Sequence, residues 1–303
     1  MSKPLILLLS LILIGVSIFN YILVTKGNIV FNLANVYEHR EKFDELSSQG
    51  IFGYLNSSTF KIFCPLLFAW AIHKKNTILI YFSIVLIILL FAFSGHKSVL
   101  ISLFVVPFFY FLYKFKNIPL VIILGFLSLL VSSSIIGWII NSNMPESLII
   151  RRLFIVPAML NFTYLEYFSN NQNIYWSNSV LSYFINYPYD DNFVYLIGDY
   201  LGLSGVYANT GFIASGFAHA SIFGVIIYTF IGILIFNFIN IISKNNQKYF
   251  VMSIIFIPLS SMFISSDLPT SLLTHGVLIA IFSLYLYNEK TYCINTGFMH
   301  FKI

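Results

Sequence analysis

Residues 78–113 read ILIYFSIVLIILLFAFSGHKSVLISLFVVPFFYFLY. Two apolar runs, 78–93 and 98–113, are separated only by Ser94, Gly95, His96 and Lys97. Apolar runs of this kind read as membrane-crossing helices, and so short a link makes the pair a tight helical hairpin. Working outward, the pattern recurs at 5–24, 55–72, 118–140, 213–239, 250–264 and 270–287. Eight spans are therefore expected. The run at 55–72 is the weakest, because Lys61 and Pro65 interrupt it. The first run follows Met-Ser-Lys-Pro, as a signal peptide would. At about 20 residues it exceeds the ~7–15 of a signal core, and no A-x-A site follows, so a retained span is expected.

Composition agrees. The 303 residues are 58% hydrophobic and 9% charged, against about 25% charged in a soluble domain. So few charges cannot cover a water-exposed surface, and the expected fold is an all-α polytopic membrane protein, one integral domain over residues 1–303. The net charge of +5 gives no argument for nucleic acid. Cys64 and Cys293 lie far apart in or near apolar segments and carry no disulfide, metal or redox signal.

Cationic short loops stay in the cytoplasm. With eight spans, nine cations fall inside (Lys3, Lys74, Lys75, Lys114, Lys116, Lys244, Lys248, Lys290, Lys302) and seven outside. The bias sharpens when only short loops are compared, and both termini are expected in the cytoplasm. Ten of the eleven acids, all but Glu289, fall outside. Two outer loops are long, 25–54 and 141–209. The second contains NSNMPESLIIRRLFIVPAMLNFTYLEYFSNN (141–171), whose apolar residues over 148–168 recur at helical spacing and predict an amphipathic helix along the membrane interface. Beyond it, 170–192 is rich in Asn, Ser and Tyr, which suits the headgroup level.

Four places could carry chemistry. Arg151 and Arg152 are planar, permanently charged and bidentate, fitted to phosphate; equally they could hold an interfacial helix to anionic lipid. On an α-helix the two would point ~100° apart, one to a cavity and one to lipid. Lys97, after His96, stands at the start of the fourth span, where a helix N-terminus favours an anion; the plain alternative is a hairpin turn with a snorkelling lysine. His219 follows the small-residue run TGFIASGFA (210–218), which lets another backbone approach closely. It reads either as a hydrogen-bonded core residue or as an acid/base. Asp267, in SSDLPT (265–270), reads as a helix cap or as a carboxylate on the outer face, with Asp190, Asp191 and Asp199 as alternatives and His275 a turn and a half further on. No metal-ligand spacing, phosphate-binding glycine loop or CxxC is present.

VYEHRE (36–41), FSGHKSVL (93–100), the arginine pair with FIVPAMLNFTYLEYF (154–168), INYPYDDN (185–192), TGFIASGFAHASIFG (210–224) and SSDLPTSLLTHG (265–276) resemble, in order and spacing, the Wzy-type polymerases of O-antigen and capsular repeat units. The resemblance implies a glycosyltransferase that joins oligosaccharide units carried on undecaprenyl pyrophosphate, at the outer face of the bacterial plasma membrane. It implies a fold similar to the metal-independent GT-C-type membrane enzymes and no cofactor. Partners would be the lipid-linked oligosaccharide, the bilayer, a chain-length regulator and a repeat-unit flippase. Arg151, Arg152 and Arg40 would meet the pyrophosphate, with Lys97 also in reach. His219 or Asp267 would take the acceptor proton. Around them, His96, Tyr187, Tyr189, Asp190, Asn209 and His275 would bind substrate, with Tyr183 and Asn192 as further sugar contacts. A ligase of the same chemistry and a flippase of lipid-linked units are the alternatives. At 303 residues the chain is shorter than many relatives, which have ten or more spans.

Overall fold

The computed structural model describes residues 3–30, 50–287, 293–296 and 299–302. The regular structure of the described chain is helical except for one hairpin near its end, and 171–192 and 201–211 are irregular. In order the helices are α1 (Lys3–Thr25), α2 (Gly50–Ser58), α3 (Cys64–His73), α4 (Thr77–Ser94), α5 (Lys97–Leu112), α6 (Ile118–Ile139), α7 (Met144–Glu146), α8 (Val156–Asn170), α9 (Phe193–Tyr200), α10 (Phe212–Asn245), α11 (Lys248–Ile264), α12 (Leu268–Leu273) and α13 (Val277–Tyr287). Strands β1 (Cys293–Thr296) and β2 (Met299–Lys302) pair antiparallel, Cys293 opposite Lys302.

Six helical stretches are long and apolar enough to cross a membrane: Leu5–Thr25, Phe52–His73, Thr77–Ser94, Ile118–Ile139, Phe212–Asn245 and Leu268–Tyr287. A bent pair, Met144–Arg152 with Val156–Asn170, turns by 46° and makes a seventh if counted as one span. The other two expected spans are shorter apolar helices, Ser98–Leu112 and Lys248–Ile264. The chain is thus a multi-pass membrane protein. Hydroxyls inside the spans bond back to carbonyls of the preceding turn, as Ser10 to Ile6 (2.8 Å) and Ser83 to Leu79 (2.7 Å).

The chain divides into two compact units, one of Met1–Tyr113, Ile235–Leu259 and Leu272–Ile303, the other of Lys114–Leu234 and Ser260–Ser271. In the first unit, Phe52–His73 is the central span, 72% buried. This explains its weak sequence signal, since a helix wrapped in protein has no need to be uniformly apolar. Ile62, Leu66, Leu90, Val251, Ile254, Ala280 and Leu284 are fully buried there. The α4–α5 hairpin forms as expected. Gly95, at φ +69°, closes α4 with its N–H on the Phe91 carbonyl, 2.8 Å.

Two stretches are π-helical, Thr59–Phe63 and Ser147–Ile155. Each is capped by a residue followed by proline: Cys64 before Pro65, Val156 before Pro157. A proline cannot donate to the carbonyl four residues back and crowds it. The chain widens instead, and the N–H before each proline reaches five back, Cys64 to Thr59 and Val156 to Arg151.

In the second unit, Leu160, Tyr164 and Phe168 of α8, Phe193, Val194 and Ile197 of α9, and Ala214 and Ala218 of α10 form one core with Ile174 and Ala208. The expected interfacial stretch 148–168 is helical, but as a π segment bent against α8. Small residues permit close approaches. A Cβ on Gly211 would stand 1.9 Å from the Phe263 carbonyl oxygen, and one on Gly224 the same distance from that of Gly216.

Candidate functional site

The last contact exists because α10 is broken. Ala220 (φ −152°, ψ 38°) and Ser221 (φ 51°, ψ −138°) are not helical, so 212–219 and 222–245 are separate segments folded onto each other at Gly216 and Gly224. A break leaves carbonyls without partners. Residues 173–175 supply them. The N–H groups of Ile174 and Tyr175 donate to the carbonyls of Ala218 (3.0 Å) and His219 (2.9 Å), and Asn173 Nδ2 donates to that of Phe217 (3.0 Å). Ser221 Oγ donates back to Asn173 Oδ1, 2.9 Å.

His219 is the last residue before the break and has no exposure. Its Nδ1 accepts the backbone N–H of Trp176 (3.2 Å), and the Trp176 indole stacks on its ring at 5.2 Å. A nitrogen that accepts an N–H carries no hydrogen, so Nε2 bears it and donates to Asp267 Oδ2, 2.9 Å. Tyr228 OH donates to Asp267 Oδ1 (2.9 Å) and accepts the Trp176 indole N–H (2.7 Å). The result is a closed ring: Trp176 indole, Tyr228, Asp267, His219, Trp176 backbone. Asp267 also accepts the N–H of Leu268 (2.8 Å), the first residue of α12. Burial pushes the Asp267 carboxyl up, but the bonds from His219 and Tyr228 outweigh it and hold it below its ordinary value. Neither His219 nitrogen is left over, and Asp267 accepts three donors.

Trp176 and Tyr228 were not singled out in the sequence. Trp176, of three tryptophans, is the one outside the long apolar helices. It and Tyr175 hold φ of +55° and +54°, a left-handed conformation that non-glycine residues avoid.

In the same unit a cavity of about 700 Å³ is lined by Arg151, Arg152, Asn143, Ser147, Asn209 and Ser265 on its polar side and by Met144, Val156, Pro157, Leu160 and Ile264. Both arginines line it. The α-helical expectation of side chains 100° apart does not apply, because the wider π turn rotates neighbours by less. Both are exposed, and neither has an ion-pair partner among the described residues. The lining holds no carboxylate.

Tyr187 and Tyr189 lie in an aromatic cluster with Tyr167 and Tyr200. Tyr187 OH donates to the Asp191 carbonyl (3.0 Å) and Tyr189 OH to that of Gln172. Burial pushes both phenols up, Tyr189 to about 12, so both stay hydroxyl donors. Tyr183, Asp190, Asp191, Asn192 and Asp199 are exposed in this unit. His96, Lys97 and His275 belong to the other. His96 precedes α5 with its ring 5.7 Å from Phe60; Lys97 is the first residue of α5; His275 contacts Lys61. Arg40 lies outside the described residues. Among those described, no cluster of three or more His, Cys, Asp or Glu is placed to hold a metal.

Neither family models, nor curated proteins, nor solved structures match this chain. The cavity and the ring therefore carry the functional reading on their own chemistry.

Proposed function

We propose that the chain polymerises oligosaccharide repeat units carried on undecaprenyl pyrophosphate, by inverting, metal-independent glycosyl transfer at the outer face of a bacterial plasma membrane. One observation carries the reading: two arginines with no ion-pair partner among the described residues line a half-apolar cavity whose lining holds no carboxylate. Paired guanidinium groups fit a pyrophosphate, and the apolar wall of Met144, Val156, Pro157, Leu160 and Ile264 suits the first units of a lipid tail. As the glycosidic bond breaks, charge develops on the leaving pyrophosphate and the arginines neutralise it. Such preorganised donors contribute about 3–4 kcal/mol, or roughly 10²–10³ in rate.

On the eight-span reading of the sequence, both termini lie in the cytoplasm and this cavity outside. The fold we propose is of the GT-C type. Asn209 and Ser265 on the cavity wall are two residues from Gly211 and Asp267, the two points that pin α10 and the 260–271 segment. Of the two bases that the sequence offers, Asp267 retains 12% exposure and His219 none. For either to take the acceptor proton the ring must open, so its standing task is to hold that wall.

The test is the purified full-length chain in proteoliposomes with lipid-linked repeat units and no nucleotide. A ladder of repeats is expected from the wild type, and none from R151A/R152A at equal protein level. Translocated but unjoined units would mark a flippase, and transfer onto lipid A alone a ligase. A full ladder from the double variant would remove the pyrophosphate role.

A further inference from the structure

The first unit holds a second cationic place that the proposed reaction leaves unused. Lys61 sits on the π segment Thr59–Phe63, in the middle of the most buried span. Its Nζ contacts His275 Nδ1. His275 lies in a break of its own, between α12 and α13, followed by Gly276 at φ +79°. A Cβ on Gly276 would come within 2.4 Å of Ile62 Cδ1, so the broken segment is pressed onto the π turn.

The donor count decides what is missing. An ammonium has three N–H groups and no acceptor. One is directed to His275, and no partner for the other two is found among the described residues. Since Nδ1 of His275 accepts, its Nε2 carries hydrogen and is a further donor. Ser58 Oγ is 2% exposed and has no hydrogen-bond partner among the described residues; it stands 3.8 Å from the Gly276 Cβ position. On α1, packed against the same π turn, Asn20 Nδ2 is another buried donor without one. Among the described residues of this unit there is no Asp or Glu to answer them. A cation in an apolar bundle marks a bound counter-group by default.

We propose that Lys61, His275 and Ser58 form a half-buried site for one oxyanion group, a phosphate or a carboxylate. The two chemistries share what the site supplies, a single positive charge and several hydrogen-bond donors. The site lies in the other unit from the arginine cavity, and its test reads no polymer, so it stands or falls apart from the polymerase reading.

The full-length chain is placed in phosphatidylcholine nanodiscs and its thermal unfolding is followed with three probes: inorganic phosphate, acetate, and phosphatidylglycerol added to the disc. The wild type should rise by roughly 5 °C at a hundredfold excess of one probe over its Kd. K61M should not respond, and without anion should be at least as stable as the wild type, having lost a half-buried charge. K61R should keep the response and S58A should weaken the apparent affinity several-fold. A response to phosphatidylglycerol alone identifies a lipid phosphate; one to inorganic phosphate or acetate identifies a soluble anion. An equal rise in K61M, or no rise in the wild type with any probe, overturns the site.

Discussion

Each unit has one π turn bearing cations and one histidine at a helix break, wired in opposite ways. In the first, Lys61 and His275 contact each other directly. In the second, His219 is bound to Asp267, and Arg151 and Arg152 are left facing a cavity. The difference follows from where the carboxylate falls. Asp267 satisfies its histidine from inside the fold, so the arginines remain available to a ligand. No described carboxylate does this for Lys61, so its histidine serves as a partial partner. The lesson is that a π turn before proline presents a cation, and the neighbouring histidine's partner decides whether the cation is free.

Removing Asp267 should break this comparison most severely. In D267A the buried His219 Nε2–H and Tyr228 hydroxyl both lose their acceptor. Stripping one side of a buried pair costs about 3–5 kcal/mol, which thermal unfolding in nanodiscs would read directly. The same residue sets an acid limit. Its carboxyl lies below its ordinary value in the folded chain, so its contribution is full above the unfolded value near 3.9 and is lost as pH falls through the folded one. The wild type should lose stability on acidification below about pH 4. D267N should be less stable at neutral pH and lose that part of the acid slope; an unchanged slope would mean another group sets it.

Next come the glycines at the two breaks. G224A places a methyl 1.9 Å from the Gly216 carbonyl oxygen, where only backbone can give way, and should cost about 1–3 kcal/mol. G276A meets only the tip of Ile62 but must hold φ at +79°, a cost of roughly 1–2 kcal/mol. Unfolding of the two variants side by side ranks the breaks. Milder behaviour of G224A would show that the α10 corner relaxes easily.

W176F sharpens the ring itself. The phenyl keeps an aromatic face over His219, and the backbone N–H still reaches Nδ1. Only the indole N–H to Tyr228 is lost, worth about 1 kcal/mol. A loss much above that would mean that the left-handed Tyr175–Trp176 turn depends on the indole as well.

What the sequence made legible follows from the range of each interaction. The helices were readable because hydropathy is a local property, and all eight expected runs form helices, 213–239 and 270–287 with a break in each. Six reach spanning length, while 98–112 and 248–264 are shorter. Small residues at 210–220 signalled close approach, and Gly211 and Gly216 make it. His219 and Asp267 stood out by residue type, yet their pairing spans 48 positions and left no local trace. Trp176 and Tyr228 were missed for the same reason. The π register was legible in principle, since Pro65 and Pro157 sit inside helical patterns. Its consequence, both arginines on one cavity, needed the i−5 bond to be seen.

The smallest expected effect on stability is the most informative about the arginines. Arg151 and Arg152 are exposed and make no ion pair within the described residues, so the fold gains nothing specific from either charge. Substitutions at such positions stay within about 0.5 kcal/mol. R151A/R152A should therefore unfold with the wild type while losing the ladder of repeats. D267A should show the reverse order, a large loss of stability first, with activity lost as a consequence of the fallen cavity wall. If the double arginine variant unfolds several degrees early, the pair is part of the scaffold, and the cavity would have to be assigned to lipid packing. If it unfolds normally and the ladder is gone, the charges serve a ligand, which is the distinction between the two wirings.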